Sequence, residues 1–348
     1  MAAGTATARR PYSPSWIDRL TGWIAGLPIP EGVVYIAIAL AAFGLLTAAQ
    51  WFGGAYPVGQ VKPTHAAVAA AIGAYLWLAR RFNVAAGAAV RGLGPMLTVD
   101  AARASDLEYR LTTLPAAPTL ILGLAVSALT LVRIALYPES MTRIDLALDP
   151  ISLVLTTPVL VGFAFVGSAV PLKAASQGWL IYRITTRHVV VHLFEVGPLY
   201  AFSTLTSWMT ISLIATGVTF FVVQPALTSD PVGLASLLIG LVVSVLVFVL
   251  PLSGVHGRLV EEKVRLRGEI NHHMEKATND LHRAVSEGDL ASMDPLNKAI
   301  ASLEIEERRI ERAPTWPWEP ETLRWVVGAL MFPVVLFLLQ LLIQRLVA

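Results

Sequence analysis

The chain of 348 residues contains no cysteine. That absence excludes disulfides, a thiolate nucleophile and any cysteine-ligated metal. Charge is scarce as well. Asp, Glu, Lys and Arg make up 14% of the residues, where a soluble domain carries about a quarter. The formal net charge of +2 is too small to suggest a nucleic-acid-binding surface. There is no phosphate-cradling glycine loop followed by Lys-Ser or Lys-Thr, and no Gly-x-Ser-x-Gly elbow. No apolar core follows Arg9-Arg10, where "PYSPSW" stands instead, so neither a cleaved signal peptide nor a twin-arginine export signal is expected.

What the chain does have is long apolar runs. Hydrophobic residues make up 55% and the mean hydropathy is +0.64, which points to a bilayer. Seven stretches have the length and apolarity to cross about 30 Å of hydrocarbon. They lie near 33–52, 64–80, 115–137, 151–172, 198–224, 232–252 and 322–347. The Ala-rich second stretch, "THAAVAAAIGAYLWLA", is the least apolar. Pro63, Pro115, Pro150, Pro198 and Pro231 fence several of them, as suits a residue tolerated in a helix's first turn. With the N-terminus in the cytoplasm, 22 of the 26 Lys and Arg fall on the inside, which is the arrangement membrane insertion favours. The expected fold is therefore an all-α polytopic membrane protein of the inner (plasma) membrane, with seven transmembrane helices, the N-terminus cytoplasmic and the C-terminus external.

Four regions follow from this reading. Residues 1–32 form a cytoplasmic N-terminus. Within it Trp16, Ile17, Leu20, Trp23, Ile24 and Leu27 share one helical face, either as an amphipathic helix on the membrane surface or as a pre-helix packed on its neighbours. Residues 33–252 hold six membrane helices. Residues 253–320 form a cytoplasmic antiparallel helical hairpin, of coiled-coil character, between helices six and seven. Its apolar stripes are Leu266, Ile270, Met274, Ala277, Leu281 and Val285, then Met293, Leu296, Ile300, Leu303 and Ile310. Gly288 suits the stop of its first helix, and Asp294-Pro295 suits the start of its second. Thirty-three residues of helix would reach roughly 50 Å. Residues 321–348 are the seventh span. The joint before it, "APTWPWEPETLRW", carries Pro314, Pro317 and Pro320, which forbid a continuous helix, with Trp316, Trp318 and Trp325 suited to a headgroup layer.

Candidate chemistry is sparse. In "RHVVVHLFEVGPLYAFS", a helix would bring His188, His192 and Glu195 to one face at i, i+4 and i+7, a spacing that zinc or iron can use. Against this, valines fill the interval between the histidines, Val189 stands where a zincin has Glu, and Gly197-Pro198 breaks the segment. A hinge at Gly197 and Pro198 accounts for every residue, so no metal and no cofactor are expected. The spans hold almost no ionisable groups. Arg133 can snorkel at an outer end and Lys173 at an inner end. That scarcity speaks against a proton-driven carrier and against intramembrane hydrolysis, and the chain is expected not to be an enzyme. Span five is rich in Ser and Thr, whose hydroxyls tend to bond their own helix. Span seven carries Gln340 and Gln344 one turn apart, and buried primary amides need water or partners.

Two stretches, "FEVGPLYAFSTLT" and "APTWPWEPETLR", resemble a family of uncharacterised polytopic bacterial membrane proteins; the resemblance implies the architecture and no activity. The layout of seven spans, N-terminus inside, C-terminus outside and cytoplasmic helices before the last span is also similar to the insect odorant and gustatory receptor channels. Those are tetramers whose last helix lines the pore, and no residue is carried over from them. Two functional readings stand. One is an oligomeric ion channel with the last helix lining the pore, Gln340 and Gln344 as pore-lining candidates, and the hairpin mediating assembly or gating through an elbow at Pro317 and Pro320. The other is a non-conducting scaffold or sensor whose hairpin docks a cytoplasmic protein partner; a lipid-handling enzyme or carrier ranks below both. The partners implied are the lipid bilayer, further copies of the chain and that protein.

Overall fold

The computed structural model describes residues 10–136, 150–189, 193–194, 197–223 and 231–347. Among these residues the fold is helical and contains no strand, only two isolated bridges, Pro14 with Pro115 and Leu97 with Val189. The helices are α1 (Trp16–Ala25), α2 (Glu31–Phe52), α3 (Pro63–Gly92), α4 (Ala101–Thr112), α5 (Ala116–Leu136), α6 (Pro150–Arg187), α7 (Tyr200–Val223), α8 (Pro231–Glu287), α9 (Leu290–Arg312) and α10 (Pro320–Val347).

Proline sets many of the starts. Pro63, Pro150, Pro231 and Pro320 are each the first residue of their helix, where the missing N–H would have had no partner anyway. Elsewhere side chains cap the helix. Ser15 accepts from the Asp18 backbone N at 3.3 Å and opens α1, and Asp100 accepts from Arg103 N at 2.7 Å and opens α4. Pro158 and Pro171 in α6, Pro251 in α8 and Pro333 in α10 lie inside helices, as membrane-type helices allow.

Among the described residues six helices, α2, α5, α6, α7, α8 and α10, are long and apolar enough to cross a membrane. Several long apolar helices in an all-α fold are consistent with an integral membrane protein. The second expected span differs. α3 runs on to Gly92 and is not among the six. Its position explains its composition: it packs against α1, α2, α4, α6 and α7, and more than half of its residues are buried. A helix sheathed by protein does not need an apolar surface all round. Small residues allow the close approach. A Cβ at Gly73 would lie 2.7 Å from the Tyr35 carbonyl oxygen of α2.

α1 packs rather than merely lying on a surface. Ile17, Thr21 and Ile24 are buried against α3 and its neighbours, and among the large apolar residues of α1 Trp23 stands well out, at 63% exposed. α8 and α9 lie along one another, with Gly288 in the left-handed region at φ 70° between them, a conformation that costs glycine nothing. The start of α9 is a correction. Asp289, not Asp294, is its N-cap, accepting from Ala291 N and Ser292 N, and Pro295 lies inside the helix. Asp294 instead pairs with Lys298 at 2.6 Å.

Candidate functional site

Of the metal candidates, His188 is described and lies just beyond the end of a helix. α6 ends at Arg187, and the chain then turns extended: Thr98 N donates to the His188 carbonyl at 3.0 Å, and Val189 bridges to Leu97. Val189, the first β-branched residue beyond α6, pairs with another segment in preference to continuing the helix. His192 and Glu195 lie outside the described residues, and no cluster of three metal-ligating side chains occurs among those described. Gly197 and Pro198 form a short 3₁₀ turn that leads into α7. Gln340 and Gln344 are in α10, and their side chains lie outside the described set.

The hydroxyls of α7 are spent mainly within the helix. Ser207 donates to the Ser203 carbonyl at 2.7 Å, Ser212 to Trp208 at 2.6 Å and Thr216 to Ser212 at 2.8 Å. Thr210 departs from this and reaches the Ser244 carbonyl of α8 at 3.2 Å.

The joint at 313–319 is clamped onto α8 by stacked rings. Phe248 stacks on Trp318 with centroids 4.9 Å apart, Trp318 on Trp316 at 4.3 Å, and Trp316 on His256 at 3.9 Å. Phe248 and His256 are both on α8, eight residues apart, so the two tryptophans fill the rise between them. Nδ1 of His256 lies 2.9 Å from the Thr315 carbonyl, and a carbonyl can only accept, so Nδ1 carries the proton. Lys263 closes the end of α9 by donating to the Glu311 and Ala313 carbonyls at 2.7 and 3.0 Å, a favourable place for a cation. Pro317 is buried and Pro320 opens α10. The elbow is thus a fixed corner between α9 and α10.

A second centre had no counterpart in the sequence reading. Lys173 of α6 does not snorkel. Its side chain is 1% exposed and pairs with that of Asp18, 7% exposed. Lys173 Nζ also donates to Asn83 Oδ1 of α3 at 2.6 Å, and Asn83 Nδ2 donates to Asp18 Oδ1 at 2.9 Å. Asp18 Oδ2 accepts from Ser15 Oγ and from Leu114 N, both at 2.7 Å. Burial pushes the Asp18 carboxyl up, but the Lys173 charge and the hydrogen bonds from Lys173, Asn83 and Ser15 outweigh it, so its pKa lies below the ordinary 3.8. The centre ties α1, α3, α6 and the turn before α5 together. Around it the segment 10–16 is stitched down: Tyr12 donates to the Thr113 carbonyl at 2.7 Å, Tyr109 donates to the Tyr12 carbonyl at 2.7 Å, and Ser15 N donates to the Leu114 carbonyl at 2.9 Å. Burial holds the Tyr12 phenol up at about 12, so it remains a donor. The only sequence signal was the Ser-x-x-Asp pattern at the start of α1.

A polar cavity of about 450 Å³ opens beside this centre, lined by Arg10, Asp18, Arg80, Asn83, Arg91 and Glu108 among others. Its arginines are largely answered: Arg91 pairs with Glu108 at 2.5 Å and Arg80 with Glu31 at 3.4 Å. A buried ion pair held by hydroxyl, amide and backbone partners is a structural lock in its chemistry. Comparison with known protein families, with curated proteins and with solved structures finds no match to this chain.

Proposed function

We propose that the protein is an oligomeric membrane channel in which α10 lines a pore between copies, and the α8–α9 pair mediates assembly or gating through the aromatic elbow. In this reading the N-terminus is cytoplasmic, α3 counts as the seventh span and the α8–α9 pair is a cytoplasmic hairpin. The observation that carries it is the situation of α10. It packs mainly on α7, burying Val326 and Pro333 while Trp325, Met331, Phe332, Leu338 and Leu342 are exposed. A helix attached along one narrow stripe leaves broad faces for neighbouring copies, and the fixed corner at 313–319 would pass movement of the hairpin to it. Gln340 and Gln344 would then supply rings of amides, which replace part of an ion's hydration with little charge preference. Purified protein reconstituted in planar bilayers should conduct, and cross-linking in the membrane should trap more than one copy. Bilayers that stay silent under every voltage and tension, with a monomer in mild detergent, would sink the channel.

A second reading is a non-conducting scaffold or sensor docking a cytoplasmic protein through the hairpin. One observation favours it: Val264, Val285, Leu290 and Ile305 are exposed on α8 and α9. Gln340→Leu separates the readings. It should reduce conductance with folding intact if the residue lines a pore, and disturb helix packing with no current to alter if it does not.

A further inference from the structure

Two cavities share a wall on α6. One, of about 500 Å³, is lined by Tyr12, Arg103, Arg110, Trp179, Arg183 and His188 among others. The other, of about 480 Å³, is an almost wholly apolar groove between α6 and α8, lined by Gly178, Val243, Leu246, Val247, Leu250 and Pro251 among others. Ala175 and Trp179 line both. Charge in the first cavity is unbalanced. Arg103 and Arg110 share one carboxylate, Asp106, at 3.5 and 2.9 Å. Arg183 has no carboxylate partner among the described residues; its guanidinium instead sits 4.6 Å from the Trp179 ring centroid. Three guanidiniums thus face one carboxylate, and an anion is the complement.

The depth of each cavity also matters. α6 has 38 residues, about 57 Å at 1.5 Å per residue, so it outruns a hydrocarbon core of about 30 Å. Its polar end carries Trp179, 59% exposed, and Tyr182, 43% exposed, the residue types of a membrane–water interface. Both residues also line the apolar groove, beside the last apolar turns of α8. A Cβ on Gly178 would lie 3.1 Å from Pro251, and one on Gly254 would meet the Thr186 side chain closer still, so the two helices are in close contact along this end of the groove. A charged recess and an apolar groove that meet at Ala175 and Trp179 have together the polarity of an amphiphile.

The geometry points to a bound anionic phospholipid, its phosphate among Arg103, Arg110 and Arg183 and one acyl chain in the groove between α6 and α8. Trp179 forms the ridge at the glycerol level. Basic recesses between membrane helices on the Lys/Arg-rich side recognise such headgroups. The assignment rests on the membrane reading and not on conduction, so a silent bilayer leaves it standing.

The test places full-length protein in nanodiscs of phosphatidylcholine containing phosphatidylglycerol, and native mass spectrometry counts the lipids retained on release. The wild type should retain phosphatidylglycerol in preference to phosphatidylcholine. The Arg103→Gln/Arg183→Gln variant should lose about 25-fold of that preference, about 2 kcal/mol at 1.4 kcal/mol per tenfold. Arg19→Gln/Arg91→Gln removes the same charge elsewhere and should retain it. Val243→Trp fills the groove without touching an arginine and should lower retention of the anionic lipid too. Equal retention of the two lipids by the wild type would overturn the site, and so would an equal loss in the control pair. Inorganic phosphate that displaces the lipid from wild type and protects against heating as well as phosphatidylglycerol does would mark an anion site, with no role for the tail. If the arginine variant does not fold, the wild-type preference and Val243→Trp decide the matter.

Discussion

Replacing Asp18 with Asn leaves the Lys173 ammonium buried among neutral amides, with no counter-charge. In the intact protein the two side chains are 1% and 7% exposed, so water cannot take over the lost interaction. Removing one member of a buried pair typically costs about 3–5 kcal/mol, because the remaining charge is uncompensated. The reverse change should be milder. Lys173→Met leaves the Asp18 carboxylate with Ser15 Oγ, Leu114 N and Asn83 Nδ2 still donating to it, and three donors stabilise an anion well. The double variant removes both charges, and should regain much of what Asp18→Asn loses. The assay is reversible unfolding in mixed micelles across the four members of this cycle. The expected coupling is about 2–3 kcal/mol. pH gives an independent check. A carboxyl whose pKa is lowered on folding adds stability above its unfolded value and loses it as pH falls through the folded one. Wild type should therefore lose stability as pH falls below about 3.8, and Asp18→Asn should lack that increment. Additive single variants, or an Asp18→Asn protein as stable as wild type, would refute the reasoning.

Other outcomes follow from the same coordinates. Trp316→Ala removes two stacked contacts, to Trp318 and His256, and at about 0.5–1.5 kcal/mol per pair should cost about 1–3 kcal/mol; faster proteolysis between α9 and α10 would report the loosened corner. Gly73→Leu forces side-chain atoms onto the Tyr35 carbonyl and should cost about 1–3 kcal/mol by pushing α2 off α3, read as a lower unfolding midpoint; an unchanged midpoint would refute the close crossing. Metal analysis of purified protein should find no stoichiometric zinc or iron, and a metal abolished by His192→Ala would restore the histidine site. A reporter fused after Ala348 should report the external side, and a cytoplasmic signal would end the proposed orientation.

Much of the helix plan was legible in the chain, because what decides it is local. Apolar runs and prolines at 63, 150, 231 and 320 set where helices begin, and Gly288 marks the turn between α8 and α9 through its own backbone freedom. The Ser-x-x-Asp start of α1 was equally local, yet it said nothing of Lys173, which is 155 residues away in sequence. Lys173 near a helix end reads as a residue free to reach water; only the docking of α1 and α3 over α6 takes that water away. α3 looked like a weak span because its neighbours, which excuse it from facing lipid, are assembled by packing. His188 and Val189 leave the helical path because a strand-like stretch at 97–98 competes for their backbone. The four-ring stack joins residues of α8 to a loop some sixty positions on. Composition and period determine which segments are helices, since each helix satisfies its own backbone. Which side chains meet, and which charges lose their water, depends on how the helices cross, and only the tertiary structure decides that.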